Sequence, residues 1–280
     1  MDNYIETFIR QALNEDVGTG DFTSLACITV NQQSKAQLIA KEDGILSGVE
    51  IALAVFDLVD KNLEVNVFIK SGNHLRKGDI VLKVSGSAQS ILKAERLVLN
   101  LMQRMSGIAT FTHQINKLIA HTNCKLLDTR KTTPGFRYFE KLAVRQGGGV
   151  NHRFGLFDMI MIKDNHIDFA GGIKNALERV AQYLKENGLE LKVEIETRNI
   201  TEVKEVLNAG IKIDRIMLDN YTPSQLKGAI ELIGDYCQTE ASGGIDAHII
   251  KEYAETGVDF ISMGALTHSY KSLDLSLKAI

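Results

Sequence analysis

The sequence predicts an α/β protein in two parts, a small β-rich module followed by a series of β/α units with parallel strands. Three observations predict it. Early in the chain, "AQLIAKED" and "LEVNVFIK" alternate apolar and polar residues as half-buried strands do. Beyond residue 120, six short apolar runs, "KLLDTR", "MIMIKDN", "LKVEIE", "RIMLDN", "YCQTEASGG" and "DFISMGAL", are separated by helical segments, as parallel strands covered on both faces are. Each of these runs ends in a polar residue or a glycine, namely Arg130, Lys163, Glu196, Asp219, Ser242 and Gly264, the last four spaced by 23, 23 and 22 residues.

The elements follow in order. Residues 4–14 set Ile5, Phe8, Ile9, Ala12 and Leu13 on one helical face, and "EDVGTGDFTS" then reads as a loop. The first strands surround a helix near "EIALAVFDLVD", and "RKGDIVLKVSG" is a glycine turn into another strand. From Ala94, the residues Leu97, Val98, Leu101, Met102 and Met105 recur at helical spacing, so a long helix leads out of the module, with Gly107 a point where it breaks or kinks. In the second part, Thr222 before Pro223 and Asp246 are N-caps, and Gly188, Gly210 and Gly257 mark helix ends. Six strands suit an incomplete barrel, whose C-terminal strand ends meet at one mouth. A doubly wound sheet, with the same residues along a crevice, is the alternative.

Composition narrows the function. A formal charge of -3 over 280 residues argues against general nucleic-acid binding. No apolar run approaches the roughly 18 residues that span a bilayer, so no membrane association is expected and the compartment reads as cytoplasmic. Cys27, Cys124 and Cys237 are too far apart for a zinc site and odd in number; all three are expected to pack as small apolar side chains.

Between Arg130 and Lys163 lie seven cations, Arg130, Lys131, Arg137, Lys141, Arg145, Arg153 and Lys163, against the two acids Glu140 and Asp158. Arg137, Lys141 and Arg145 share helical spacing and read as surface charges. The rest cluster where strands end, and two like charges about 8 Å apart at an effective dielectric near 20 repel by roughly 2 kcal/mol. A polyanionic ligand would relieve that repulsion, and arginine forks suit carboxylate or phosphate. Pairing with Glu196, Asp219 and Asp128 in a structural network is the competing explanation. Lys163 alone could serve a Schiff-base lyase. "QGGGVNHRFG" has more glycine than a helix stop requires, and His152 beside Arg153 could donate to an anion. Glu196 and Asp219, on consecutive strands, suit Mg²⁺ completed by substrate phosphates, or else pair with Lys163. "ASGGID" and "MGALTHS" are short glycine loops of the kind that hold phosphate through backbone N–H groups.

The segment "LLDTRKTTPGFRYFEKLAVRQGGGVNHRFGLFDMIMIKDNHI" resembles the signature of the quinolinate phosphoribosyltransferases, the carboxylating nicotinate-nucleotide pyrophosphorylases. The likeness continues through "VEIET", "IMLDN", "EASGGI" and "SMGALTHS" and reaches back through "ERLVLNLMQRMSGIAT" to "LNEDVGTGDFTS". It implies an N-terminal α/β sandwich, residues 1–110, and a C-terminal open (incomplete) α/β barrel, residues 111–280, with residues 270–280 packing back on the sandwich. It also implies a homodimer in which each sandwich covers the partner's barrel mouth. The implied reaction is transfer of phosphoribose from phosphoribosyl pyrophosphate to quinolinate with loss of CO2, using Mg²⁺ and no organic cofactor.

By the same resemblance Arg130, Lys131, His152, Arg153 and Lys163 hold the dicarboxylate, with Thr129 beside them, and Arg104 reaches into the neighbouring subunit. Glu196 and Asp219 serve ribose and Mg²⁺, and Ser242, Gly243 and Gly244 with Gly264, Ala265 and Leu266 form the phosphate loops. Lys131, Lys163, Glu196 and Asp219 are the expected catalytic groups. A molybdenum-utilisation relative with another acceptor is a lesser alternative. A lipoyl-like module suggested by "SGNHLRKGDIVLKVSG" lacks a modifiable lysine at its hairpin tip.

Overall fold

Alternation along "QSKAQLIA" and "IVLKVSGS" produces the sheet from which the first part of the molecule is built. The computed structural model describes residues 3–280, which separate into two units. One holds the chain up to residue 113 together with 138–148 and 269–280; the other holds 114–137 and 149–268. Residues 138–148 thus group with the first unit although the second begins before them in sequence.

In the first unit α1 (Asn3–Val17) buries Ile9. The following stretch was expected to be a loop. Instead Asp21 caps a short helix, α2 (Phe22–Cys27), accepting the Ser24 amide at 3.0 Å. Ser24 bonds the same carboxylate through its hydroxyl and amide, which holds Asp21 below the usual carboxylate range. Cys27, at the helix end, is exposed and does not pack as an apolar side chain.

Next come β1 (Gln33–Ala40), β2 (Gly44–Ile45), α3 (Val49–Val59), β3 (Glu64–Val67), β4 (His74–Leu75) and β5 (Ile80–Ser87). β1 and β3 flank β5 in antiparallel register, Leu38 opposite Leu82 and Val65 opposite Val84, while β2 and β4 pair separately. α3 has no side-chain N-cap. It buries Val49, Ile51, Ala52, Val55 and Phe56, and each large apolar side chain so buried contributes about 1.5–3 kcal/mol, more than the roughly 1 kcal/mol a missing cap forgoes. Packing therefore fixes this helix.

α4 (Ala88–Ile119) runs 32 residues without a break. Gly107, expected to interrupt it, serves a different need: a Cβ there would lie 2.3 Å from the Lys271 carbonyl oxygen, so the glycine permits close approach of the 271 backbone.

After β6 (Lys125–Leu127) of the second unit the chain enters α5 (Arg137–Gln146), which from residue 138 belongs to the first unit, and then returns to the second unit with β7 (Ile160–Ile162), α6 (Asp164–Ala170) and α7 (Ile173–Asn187). It continues through β8 (Val193–Thr197), α8 (Ile200–Asn208), β9 (Arg215–Asp219), α9 (Pro223–Ile233), β10 (Gln238–Ser242), α10 (Ile250–Ala254), β11 (Phe260–Ser262) and α11 (Ala265–His268). The six strands are parallel in the order β6-β11-β10-β9-β8-β7, with β6 and β7 as the edge strands of an open α/β barrel.

Thr222 starts α9 in a capping box with Gln225, with Pro223 in the first turn. Asp246 accepts the His248 and Ile249 amides, but α10 begins only at Ile250, so this aspartate anchors a turn and not the helix itself. On α5, Lys141 is buried and not the surface charge its spacing suggested; Arg145 is exposed. Finally β12 (Leu275–Ala279) joins the first unit's sheet, antiparallel to β1 with Leu277 opposite Leu38, giving the order β12-β1-β5-β3.

Candidate active site

Parallel strands present alternate residues to one face. In the barrel this sets two layers: Glu196, Asp219, Ser242 and Gly264 at the C-terminal ends, and Glu194, Arg215, Glu240 and Phe260 deeper in the unit. The upper layer opens on a cavity of ≈ 810 Å³. Its lining brings together Thr129, Arg130, Lys131, His152, Arg153, Lys163, Glu196, Asp219, Ser242, Gly243, Gly244, Gly264 and Ala265. Leu266 is buried and is not in the lining. Arg104 belongs to the first unit, where it pairs with buried Glu140 at 3.1 Å and stacks on Tyr270.

The cation wall is assembled by backbone pairing. Val150 bridges to Leu127, and its amide donates to the Leu126 carbonyl at 2.8 Å, so the "GGGVNHR" segment lies beside the end of β6. Asp128, fully buried, accepts the His152 amide at 2.8 Å and the Asn151 carboxamide. Asp128 thus holds backbone and does not neutralise the cation wall. Thr267, on α11 just after β11, donates to the Lys131 carbonyl at 2.8 Å. Arg130, Lys131 and Arg153 form no ion pair among the described residues. Burial, and then repulsion from Arg130, holds the Arg153 guanidinium below its ordinary value.

Opposite them stand the acids. Lys163 Nζ lies 2.6 Å from Glu196 Oε2. Burial, and then the charge of Glu196, pushes the Asp219 carboxyl up, opposed by Lys163, a bond from Asn220, and Lys131. Asp219 is thus under-compensated even with Lys163 present, and two neighbouring carboxylates form a donor set that an oxygen-preferring divalent cation fits.

The deeper layer escaped the sequence reading. His152 Nε2 lies 3.1 Å from Glu194 Oε2 and 3.4 Å from Glu240 Oε2, while Arg215 Nη1 lies 2.7 Å from Glu240 and 3.6 Å from Glu194. The Phe260 ring covers the Arg215 guanidinium at 4.1 Å. His152, Glu194 and Glu240 have the spacing of metal ligands, but Arg215 already supplies the positive charge between the carboxylates. Burial works against charge on His152, and hydrogen bonds and charge from Glu194 and Glu240 more than offset it, pushing the ring up to about 9. Nδ1, however, accepts the Arg153 amide at 2.7 Å. A second ring proton would break that bond, so geometry assigns the neutral tautomer with its proton on Nε2. The ring is held from behind and in turn fixes Arg153. His152 lines the cavity beside Arg153.

Asn220, Met161, Met217, Met263 and His268 also line the cavity and were not anticipated. Period-two spacing inside the strands, as in "VEIET" and "RIMLD", was the available signal for Glu194, Arg215 and Met217.

Comparison with known proteins gives the family. Residues 21–106 match the family model for the quinolinate phosphoribosyl transferase N-terminal domain, and residues 108–278 match the C-terminal domain. A chloroplastic nicotinate-nucleotide pyrophosphorylase [carboxylating] of Arabidopsis thaliana is 49% identical, over 98% of this chain and 82% of that protein. A probable enzyme of the same name from Bacillus subtilis is 44% identical, over 94% and 89%. The solved nicotinate-nucleotide pyrophosphorylase of Francisella tularensis superposes with a TM-score of 0.93 at 40% identity, covering 100% of this chain and 97% of that one.

Proposed function

The chain belongs to the quinolinate phosphoribosyltransferase family, and from that premise we propose how its residues carry phosphoribosyl transfer from phosphoribosyl pyrophosphate to quinolinate, yielding nicotinate mononucleotide, pyrophosphate and CO2. One observation carries the reading: a single cavity sets Arg130, Lys131 and Arg153, with no ion pair of their own among the described residues, across from Glu196 and Asp219. The cations receive the two carboxylates of quinolinate, with arginine forks giving paired hydrogen bonds. The glycine loops at Ser242–Gly244 and Gly264–Ala265 offer backbone N–H groups to phosphate.

The ring nitrogen of quinolinate attacks C1 of the ribose as the bond to pyrophosphate breaks. Positive charge then develops on the ribose, which Glu196 and Asp219 stabilise. Lys163 holds Glu196 in place for that task, and Lys131 faces the same acidic side and the departing phosphates. With the ring nitrogen quaternary, the C2 carboxylate leaves as CO2, its electron pair collapses toward the nitrogen, and a proton takes its place at C2. Glu196 and Asp219 would hold Mg²⁺, which, when bound with the pyrophosphate, offsets charge on the leaving group. No organic cofactor is required.

The assembly is a homodimer in which Arg104 serves the partner's site. Mixing inactive Arg104→Ala and Lys163→Ala chains should then restore activity, and failure to do so would remove the cross-subunit role. No helix among the described residues is long and apolar enough to cross a membrane. We place the reaction in the cytoplasm, which fractionation tests directly. For the reaction itself, protein supplied with quinolinate, phosphoribosyl pyrophosphate and Mg²⁺ should release nicotinate mononucleotide and CO2 in equal amounts. Absence of both products would refute the assignment.

A further inference from the structure

Asn220 follows Asp219 at the end of β9 and lines the cavity. At φ 58 it is the one non-glycine residue among those described with a left-handed backbone. Side chains resist that conformation, though asparagine tolerates it better than most. Three features of its surroundings explain why it is held there. The Asn220 amide donates to the Ser242 carbonyl at 2.9 Å, joining the end of β9 to the end of β10. Its Nδ2 donates to Asp219 Oδ2 at 2.6 Å. Its side chain also lies against Gly243, itself at φ 97, where an added Cβ would come within 2.2 Å of Asn220 Oδ1 and 2.8 Å of its backbone nitrogen. Gly243 therefore cannot gain a side chain without displacing Asn220.

We propose that Asn220 is a positioning residue: its carboxamide aims the Asp219 carboxylate, and its left-handed backbone seats the Ser242–Gly244 loop, so that ribose charge and phosphate are met in one register. The inference rests on the phosphoribosyl-transfer reading of this cavity. A turn residue with no part in catalysis would account for the backbone angle alone. It would not require the bond to Asp219.

Asn220→Gly separates the two roles, because glycine keeps the left-handed backbone and deletes the carboxamide. The variant should melt at or above the wild-type temperature, yet kcat should fall roughly 10- to 100-fold, the scale of effect when a reacting group is misaimed. KM for quinolinate should stay within about twofold, because the cation wall lies on other strands. Asn220→Asp, which replaces the donor with a second carboxylate beside Asp219, should lose more kcat than the glycine variant. Quinolinate binding by calorimetry without the second substrate provides a readout independent of turnover, and Asn220→Gly should retain it. Wild-type kcat in Asn220→Gly, or loss of quinolinate binding in it, would overturn the positioning role. A wild-type protein that turns over no quinolinate would instead overturn the functional reading, and the two failures are therefore distinguishable.

Discussion

The two layers inside the barrel treat charge in opposite ways. In the deeper one, Arg215 lies between Glu194 and Glu240, and His152 meets both carboxylates from the other side. At the mouth, Arg130, Lys131 and Arg153 have no ion-pair partner among the described residues, and Arg130 repels Arg153. Charges whose partners lie within the chain hold the structure together. Charges left uncompensated at a concave surface are placed for something that arrives from outside. The layers also communicate, since His152 is gripped by the buried acids and its Nδ1 accepts the Arg153 amide.

That contrast is breakable. Arg153→Ala should have the largest effect on function: losing one partner of a desolvated, hydrogen-bonded charge pair costs about 2–5 kcal/mol of binding, seen as a steep rise in KM for quinolinate. Thermal stability should hold or rise, because repulsion with Arg130 disappears. Arg215→Met should reverse the pattern. It leaves Glu194 and Glu240 buried without the guanidinium between them, and breaking such a pair costs about 3–5 kcal/mol of stability, measurable by denaturant unfolding. If Arg153→Ala unfolded the protein, or Arg215→Met melted like wild type, the division between the layers would be wrong.

A smaller effect sharpens the acidic side. Asp219 is pushed above its ordinary 3.8 by burial and then by Glu196. A raised carboxyl binds its proton more tightly in the folded state, so its contribution to stability is present below about 3.8 and lost as pH rises through the raised value. Catalysis needs the opposite form. The acid limb of the kcat/KM profile, which reports the free enzyme, should therefore lie above 3.8, and Asp219→Asn should remove kcat while gaining stability near neutrality. An acid limb at or below that value would contradict the assigned environment.

Much of this was legible from residue order. Six apolar runs with turn signals between them gave the six parallel strands, because a strand buried on both faces leaves an uninterrupted apolar signature. The polar residues closing those runs gave the cavity wall. Glu194, Arg215 and Glu240 were not recognised because each sits inside a run read as apolar, and charges satisfied by residues on neighbouring strands leave no local trace. Lys141 was misread for a related reason: helical spacing says which residues share a face, not whether another element covers it. Gly107 looked like a helix breaker, since nothing near it in sequence discloses that residue 271 passes so close. Asn220 lay in a motif already noted, but its left-handed backbone depends on Gly243 from the next strand.

The most direct test of the central claim is a calorimetric comparison of quinolinate with nicotinate, which differs by the loss of one carboxylate. A cation wall awaiting a dianion predicts that quinolinate binds at least about 100-fold more tightly, in keeping with about 3 kcal/mol for a charge-assisted contact, and that Arg153→Ala erases most of the difference. Equal affinity for the two acids in the wild-type protein would contradict it.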